Sequence, residues 1–343
     1  SVPGNQAVRI GQPGSFLQLE VRLSSEIESL PQDWTLSVLS LPELLTSAPA
    51  VADTALEVVS EQVQVANGEF QILPGDIYVQ QANAGSLSLL SSSDLTSVGG
   101  DFQATQDLQL AANNVLKLRD NLENPFIAVA GNQLQLQGNQ GIDILALTHP
   151  ETAFASGGDL RLVSSQPVSA DTHFSTGGNF SMLNLNEAPS DFISLYDPII
   201  SADGDVVFGN YSGASLKIES QGSIQGGNIT ITSPDVGLTG ADPDIELLTN
   251  SRTVILRAGL DALTNQNNVP TSTGESLFPT QFTPAGGPSA LGDISVGNIQ
   301  TGFGETGGNI IFSADGDITA GNLDTSTSTA NATGGLVDIN ASG

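Results

Sequence analysis

Residues 222–232 read GSIQGGNITIT. Ile229 and Ile231 fall on one side of an extended chain and Thr230 and Thr232 on the other, because side chains alternate along a strand. The Gly pair before them cannot support a helix and suits a tight turn. The unit is therefore a Gly-punctuated corner followed by a short, half-buried strand. It recurs. GDVVFGN (204–210), GSIQGGN (222–228), GDISVGN (292–298) and GDITAGN (316–322) share the pattern G-[DS]-[IV]-x-x-G-N. A second set places a small pair and a polar residue before alternating apolar positions: GGDFQAT at Gly99, AGNQLQLQ at Ala130, GGDLRLV at Gly157, GGNFSML at Gly177 and GGNIIFS at Gly307. Leu134 and Leu136 alternate with Gln133, Gln135 and Gln137, and Leu87 and Leu89 with Ser86 and Ser88.

A strand this short cannot bury its apolar side alone. Stacked on copies of itself it forms one continuous core. A sandwich of hairpins is the rival arrangement, but it needs many two-residue turns, and only Asn67-Gly68 and Asp203-Gly204 are clear signals of that kind. Similar sequence at successive intervals is better met by similar positions on successive coils. The expected fold is thus all-β, a parallel β-helix (a solenoid) with loop insertions. Copies begin 18 residues apart at Gly204 and Gly222 but 24 apart at Gly292 and Gly316, so a coil of ~20 residues with variable corners is expected. Some 12 to 15 such coils would give a rod of roughly 60–70 Å at ~4.8 Å per coil.

Asn179, Asn210, Asn228, Asn298, Asn309 and Asn322 each follow a Gly. Asn tolerates the left-handed backbone, and its amide can bond to a copy above or below. Stacked at one corner these residues would form a ladder; independent turn residues are the alternative.

The expected organisation is an N-terminal β or capping region with an irregular insertion at 1–83, β-helix repeats at 84–261, a Pro/Gly-rich loop or linker at 262–290, and further repeats without a C-terminal cap at 291–343. Within the first, Phe16 to Leu23 alternates as a strand, and 42–47 suits a short helix.

Composition narrows function. The chain has 343 residues, with 8 Lys+Arg against 37 Asp+Glu, a net charge of −29 and no Cys. Too few cations are present to neutralise phosphates, which argues against nucleic acid and anionic membranes as partners. A disulfide framework, a thiolate zinc site and a cysteine nucleophile are excluded. No apolar run of ~18 residues exists, so no membrane insertion is expected.

GFGETG (302–307) matches G-x-G-x-x-G, but a dinucleotide site needs a helix next, and a strand-like GNIIFS follows. His149 and His173 lack partners at metal-ligand spacing and read as loop residues. The basic residues are scattered, none in a recognisable acidic cluster, and Asp159 with Arg161 is the best local pair. That argues against a polysaccharide-cleaving site. Trp34, Tyr196 and Tyr211 are the aromatics that could stack on sugar, with core packing as the alternative. Calcium is the one cofactor considered. Asp205, Asp293 and Asp317 hold one motif position, flanked by Asp203 and Asp315, and stacked carboxylates would repel unless a hard cation bridged them. Outward, solvated turn residues are the competing explanation. Asp242, Asp244 and Glu246 form a second acidic run.

GDITAGNLDTSTSTANATGGLVDINASG (316–343) and GGNITITSPD (226–235) resemble repeats of large cyanobacterial exoproteins related to filamentous haemagglutinin, which are substrates of two-partner secretion. PGNQAVRIGQPGSFLQLEV (3–21) resembles segments that follow their secretion domain. The resemblance implies a right-handed parallel β-helix at the outer cell surface or outside the cell. It implies a non-enzymatic adhesive or filament-forming role, with self-association, neighbouring subunits or surface glycans as partners. The family's secretion domain carries Asn-Pro motifs of the NPNG type. Here the only Asn-Pro is Asn124-Pro125, followed by Phe126, so that module is expected to be absent. A polysaccharide-acting enzyme or a carbohydrate-binding module on the same scaffold is the alternative.

Overall fold

The computed structural model describes residues 86–120, 125–147, 153–239, 242–261, 263, 292–303, 306–328 and 333–342. It also describes the backbone of the strands Trp34–Ser37, Ala55–Ala66, Glu69–Pro74, Ile77–Tyr78 and Gln81–Ala84. The expected strand at 16–23, the helix at 42–47, His149 and nearly all of the 262–290 loop lie outside these residues.

The fold is a parallel β-helix. Three sheets of 12, 10 and 10 strands form its walls, designated I, II and III in the order a coil visits them. One coil runs through Leu134–Gly138 in sheet I, Gly141–Leu145 in sheet II and Phe154–Ser156 in sheet III. Each strand pairs in parallel with its counterpart one coil earlier and one coil later, as Leu134 does with Leu108 and Leu160. The exception is a hairpin-like start to sheet I, where Ala55–Ala66 pairs antiparallel with Trp34–Ser37 and Glu69–Pro74. Its first half, from Ala55, already pairs in parallel with Ser86–Ser91. The parallel stack therefore reaches into the region expected to be a cap. The described strands make ten coils; the roughly 12 to 15 expected refer to the whole chain.

Alternation places the core. One inward column of sheet I runs from Leu87 through Leu134 and Phe180 to Ile294, all buried. Under sheet III, Phe102, Phe126, Phe154 and Phe174 stack along the axis with ring centroids 5.5, 5.3 and 5.4 Å apart. Each such side chain contributes about 1.5–3 kcal/mol by leaving water, and the stack passes that contribution from coil to coil. Tyr211 belongs to this interior. It is 1% exposed and its ring centroid lies 5.0 Å from that of Phe192.

The corners explain the Gly-Asn and Gly-Asp pairs. Between sheets I and II, the backbone N–H of Asn210 donates to Asp191 Oδ1 at 2.8 Å, and that of Asn228 to Asn210 Oδ1 at 2.9 Å. Asn298 donates to Asn228 at 2.8 Å and Asn322 to Asn298 at 2.9 Å. The ladder is real, and it accounts for the preceding glycines. A Cβ on Gly227 would lie 2.7 Å from Asn210 Oδ1, and one on Gly297 2.5 Å from Asn228 Oδ1. The carboxamide of one coil fills the space where the next coil's side chain would be. Left-handed backbone is not the reason for these asparagines: among the described residues, the non-glycine positions with positive φ are Glu187 and Asp197. Asn179 and Asn309 belong to other corners. Asn179 Oδ1 accepts Asp205 N–H, and Asn309 Oδ1 accepts Leu336 N–H.

Candidate functional site

The metal candidates lie at the corner between sheets III and I, where a second ladder runs. Asn179 N–H donates to Asp159 Oδ1 and Asp205 N–H to Asn179 Oδ1. Ser223 N–H then donates to Asp205 Oδ1, Asp293 N–H to Ser223 Oγ, and Asp317 N–H to Asp293 Oδ1. Asp205, Asp293 and Asp317 thus occupy equivalent positions as expected, but Ser223 separates the first two. One oxygen of each of Asp205 and Asp293 accepts a backbone N–H from the next coil. Asp203 and Asp315 precede the same corner and donate their N–H groups to Thr176 O and Ala258 O. Among the described residues, no three His, Asp or Glu side chains form a metal-holding group. Asp159 and Arg161 do not pair with each other; Arg161 binds Glu187. The G-x-G-x-x-G stretch leads into the strand Asn309–Ala314. Arg252 clamps it, donating to Thr301 O at 2.8 Å and Phe303 O at 2.6 Å.

Charge is concentrated instead on the outer face of sheet III. Register aligns His173, Ile199, Lys217, Ile255 and Ile311 in one outward column, and Ser175, Ser201, Glu219, Arg257 and Ser313 in the next. These positions would meet solvent on a bare wall. The chain between Ser233 and Thr253 folds over them, carrying the helix α1 (Ile245–Asn250). Leu238 and Leu248 from this flap pack on Ile199 and Ile255.

Beneath the flap, Lys217 is 1% exposed. Its Nζ lies 2.9 Å from both carboxylate oxygens of Asp242, 2.9 Å from Asp244 Oδ2 and 3.4 Å from Glu219 Oε1. Arg257 grips Asp244 through two N–H groups, at 2.5 and 2.8 Å, and reaches Glu219 Oε1 at 2.9 Å. Burial alone would push the Lys217 pKa down, but Glu219, Asp242 and Asp244 hold it above its ordinary value. Burial would raise Asp244, yet hydrogen bonds from Arg257 and the charges of Lys217 and Arg257 hold it at about 2. Both groups are therefore ionised in the resting clasp.

A second polar group adjoins it. His173 Nε2 contacts Asp197 Oδ1, and Asp197 donates its N–H to Asp235 Oδ2 at 2.8 Å. Asp235 is 1% exposed and its Oδ1 has no hydrogen-bond partner. Burial first, and then the Asp197 carboxylate, push Asp235 up to about 6. His173 is thus a strand residue on a covered wall rather than a loop residue. The expectation that no basic residue lies in an acidic cluster is corrected for Lys217 and Arg257. Those two are 40 positions apart, and only strand register brings them together with Asp242 and Asp244. One sequence signal was available: Val254-Ile255-Leu256 is apolar on both strand faces, which marks a wall covered on both sides.

Of the sugar-stacking candidates, Tyr211 is core, Tyr196 is 44% exposed and the Trp34 side chain lies outside the described residues. Among the described residues no helix is long and apolar enough to cross a membrane. No protein-family model, curated protein or solved structure matches this chain.

Proposed function

We propose that this chain is a non-enzymatic structural and adhesive protein of the outer cell surface, a rigid rod that displays loops or assembles into an extracellular filament. Its repeats resemble those of the cyanobacterial haemagglutinin-like exoproteins, and the role follows that resemblance. The observation that carries it is the uninterrupted stack. Strands pair in parallel through ten coils, about 45 Å at the usual strand spacing, and the two corner ladders tie five and six successive coils together, which suits a stiff rod.

Two measurements test this. Beads coated with the purified chain are expected to adhere to cells or to arrayed surface glycans, and electron microscopy is expected to show end-to-end particles. Release of reducing ends from polysaccharides by the chain, with neither adhesion nor assembly, would overturn the proposal in favour of a carbohydrate-active enzyme.

A further inference from the structure

We infer that the buried pair Lys217–Asp242 is the precursor of an intramolecular amide bond, closed between Nζ and Cγ, that staples the flap to sheet III. The inference stands independently of the proposed surface role.

The geometry is that of a reactant pair. Nζ sits 2.9 Å from each oxygen of Asp242, so the amine is centred on the carboxyl group. Both residues are buried, Lys217 at 1% and Asp242 at 7% exposed, which keeps water from competing with the amine. Holding two groups so close replaces the entropy cost of a bimolecular encounter. The backbone N–H of Asp244 donates to Asp242 Oδ1 at 2.8 Å, where negative charge would gather as a tetrahedral centre forms. Glu219 Oε1, 3.4 Å from Nζ, can relay a proton. Asp244 also touches Nζ, but the two-pronged grip of Arg257 fixes it as an anion, and an anion resists attack. Asp242 is the electrophile.

The step balances. Nζ hands one proton to Asp242 Oδ2, leaving a neutral amine beside a neutral carboxyl. The nitrogen lone pair attacks Cγ and the N–Cγ bond forms. Glu219 takes a second proton from nitrogen and returns it to Oδ2. The Cγ–Oδ2 bond breaks with its electron pair, and Oδ2 leaves as water. An ammonium and a carboxylate become an amide and one water, with no oxidant or cofactor. The product removes two buried charges from water-free surroundings, where ionic pairs are costly to hold. It also gives a chain with no cysteine a covalent cross-link.

Mass spectrometry of the full chain decides. After ageing in neutral buffer, the intact mass is expected to fall below the sequence mass by one water. Trypsin on the denatured chain is expected to leave Lys217 uncut and yield 162–252 as a single peptide lacking that water. Lys217→Arg is expected to restore the full mass, and Glu219→Gln to slow conversion at least ~10-fold. Succinimides at Asp203-Gly204 or Asp315-Gly316 also lose water, but hydroxylamine opens them and they leave Lys217 cleavable. The peptide map of the unaltered chain needs no variant to fold. Full sequence mass with complete cleavage after Lys217 would overturn the inference.

Discussion

Sheet II and the covered stretch of sheet III are built from the same rungs, yet they meet their surroundings differently. In sheet II the outward positions are open: Ile193 is 40% exposed, and Ser212 and Gln300 are exposed. Its stability is that of the stack behind it. In sheet III, Leu216–Ser220 is buried at every position and Ile199–Ala202 likewise, because the flap closes over the wall. There an apolar contact and an ionic clasp are added to the stack. A solenoid wall can thus be either a surface or an interior, and an insertion at one corner decides which.

The largest expected effect tests the stack. Phe154→Ala empties a site between Phe126 and Phe174 in the aromatic column. It should cost about 3–5 kcal/mol, read as a lower urea midpoint. Neighbouring coils share that column, so unfolding should shift as a whole. A loss confined to one coil would break the account of a shared core.

Arg257→Ala tests the covered wall. It leaves Asp244 and Glu219 without their guanidinium in a nearly water-free site, a loss of about 2–3 kcal/mol given the partial exposure of Arg257. Limited proteolysis between residues 234 and 252 is expected to speed up strongly, while the main thermal transition moves little. Equal shifts in both would mean that the flap and the stack are one cooperative unit.

The two walls were not equally legible in the sequence. Alternation of Ile229 and Ile231 with Thr230 gave the bare rungs directly, since side-chain period reports which face is buried. The Gly-Asn pairs gave their stacking. The reason assigned to them was incomplete, because contact between coils, not backbone handedness, requires the glycine. A sequence shows which aspartates align but not the N–H groups that bond to one oxygen of each. The flap was missed for a different reason. Its partners lie on three separate segments, and no local pattern links Lys217 to Asp242 or Arg257.

Acidity offers a finer probe of the same contrast. Asp235 is raised from 3.8 to about 6 in the folded chain, so its contribution is full below 3.8 and is lost as pH rises through 6. His173 is raised above 6.5, where the Asp197 carboxylate outweighs the lowering effect of burial, and it acts in the same direction. Asp244, lowered from 3.8 to about 2, contributes above 3.8 and fails toward 2. The flap should therefore be tightest near about pH 4, weaken progressively as pH rises to about 6 while Asp235 ionises, and weaken further as His173 loses its proton. Hydrogen exchange at 242–252, corrected for intrinsic rates, should show less protection at about pH 8 than at about pH 5. Amides of sheet II, where no carboxyl or imidazole group is buried among the described residues, should not respond.

The smallest effect concerns the corner ladder. Asn228 Oδ1 accepts the N–H of Asn298, and Asn228→Ala leaves that donor to water at an exposed corner. The expected loss is about 1 kcal/mol or less, measurable as a small drop in melting temperature. Asn228→Asp is the sharper variant. A carboxylate keeps the accepting oxygen and fits the same space, as Asp191 does at the equivalent position of an earlier coil. If the ladder works through that oxygen, the Asp variant should hold stability close to the unaltered chain while the Ala variant does not. Equal losses would assign the role to the amide nitrogen instead, and would separate this corner from the aspartate ladder that otherwise shares its geometry.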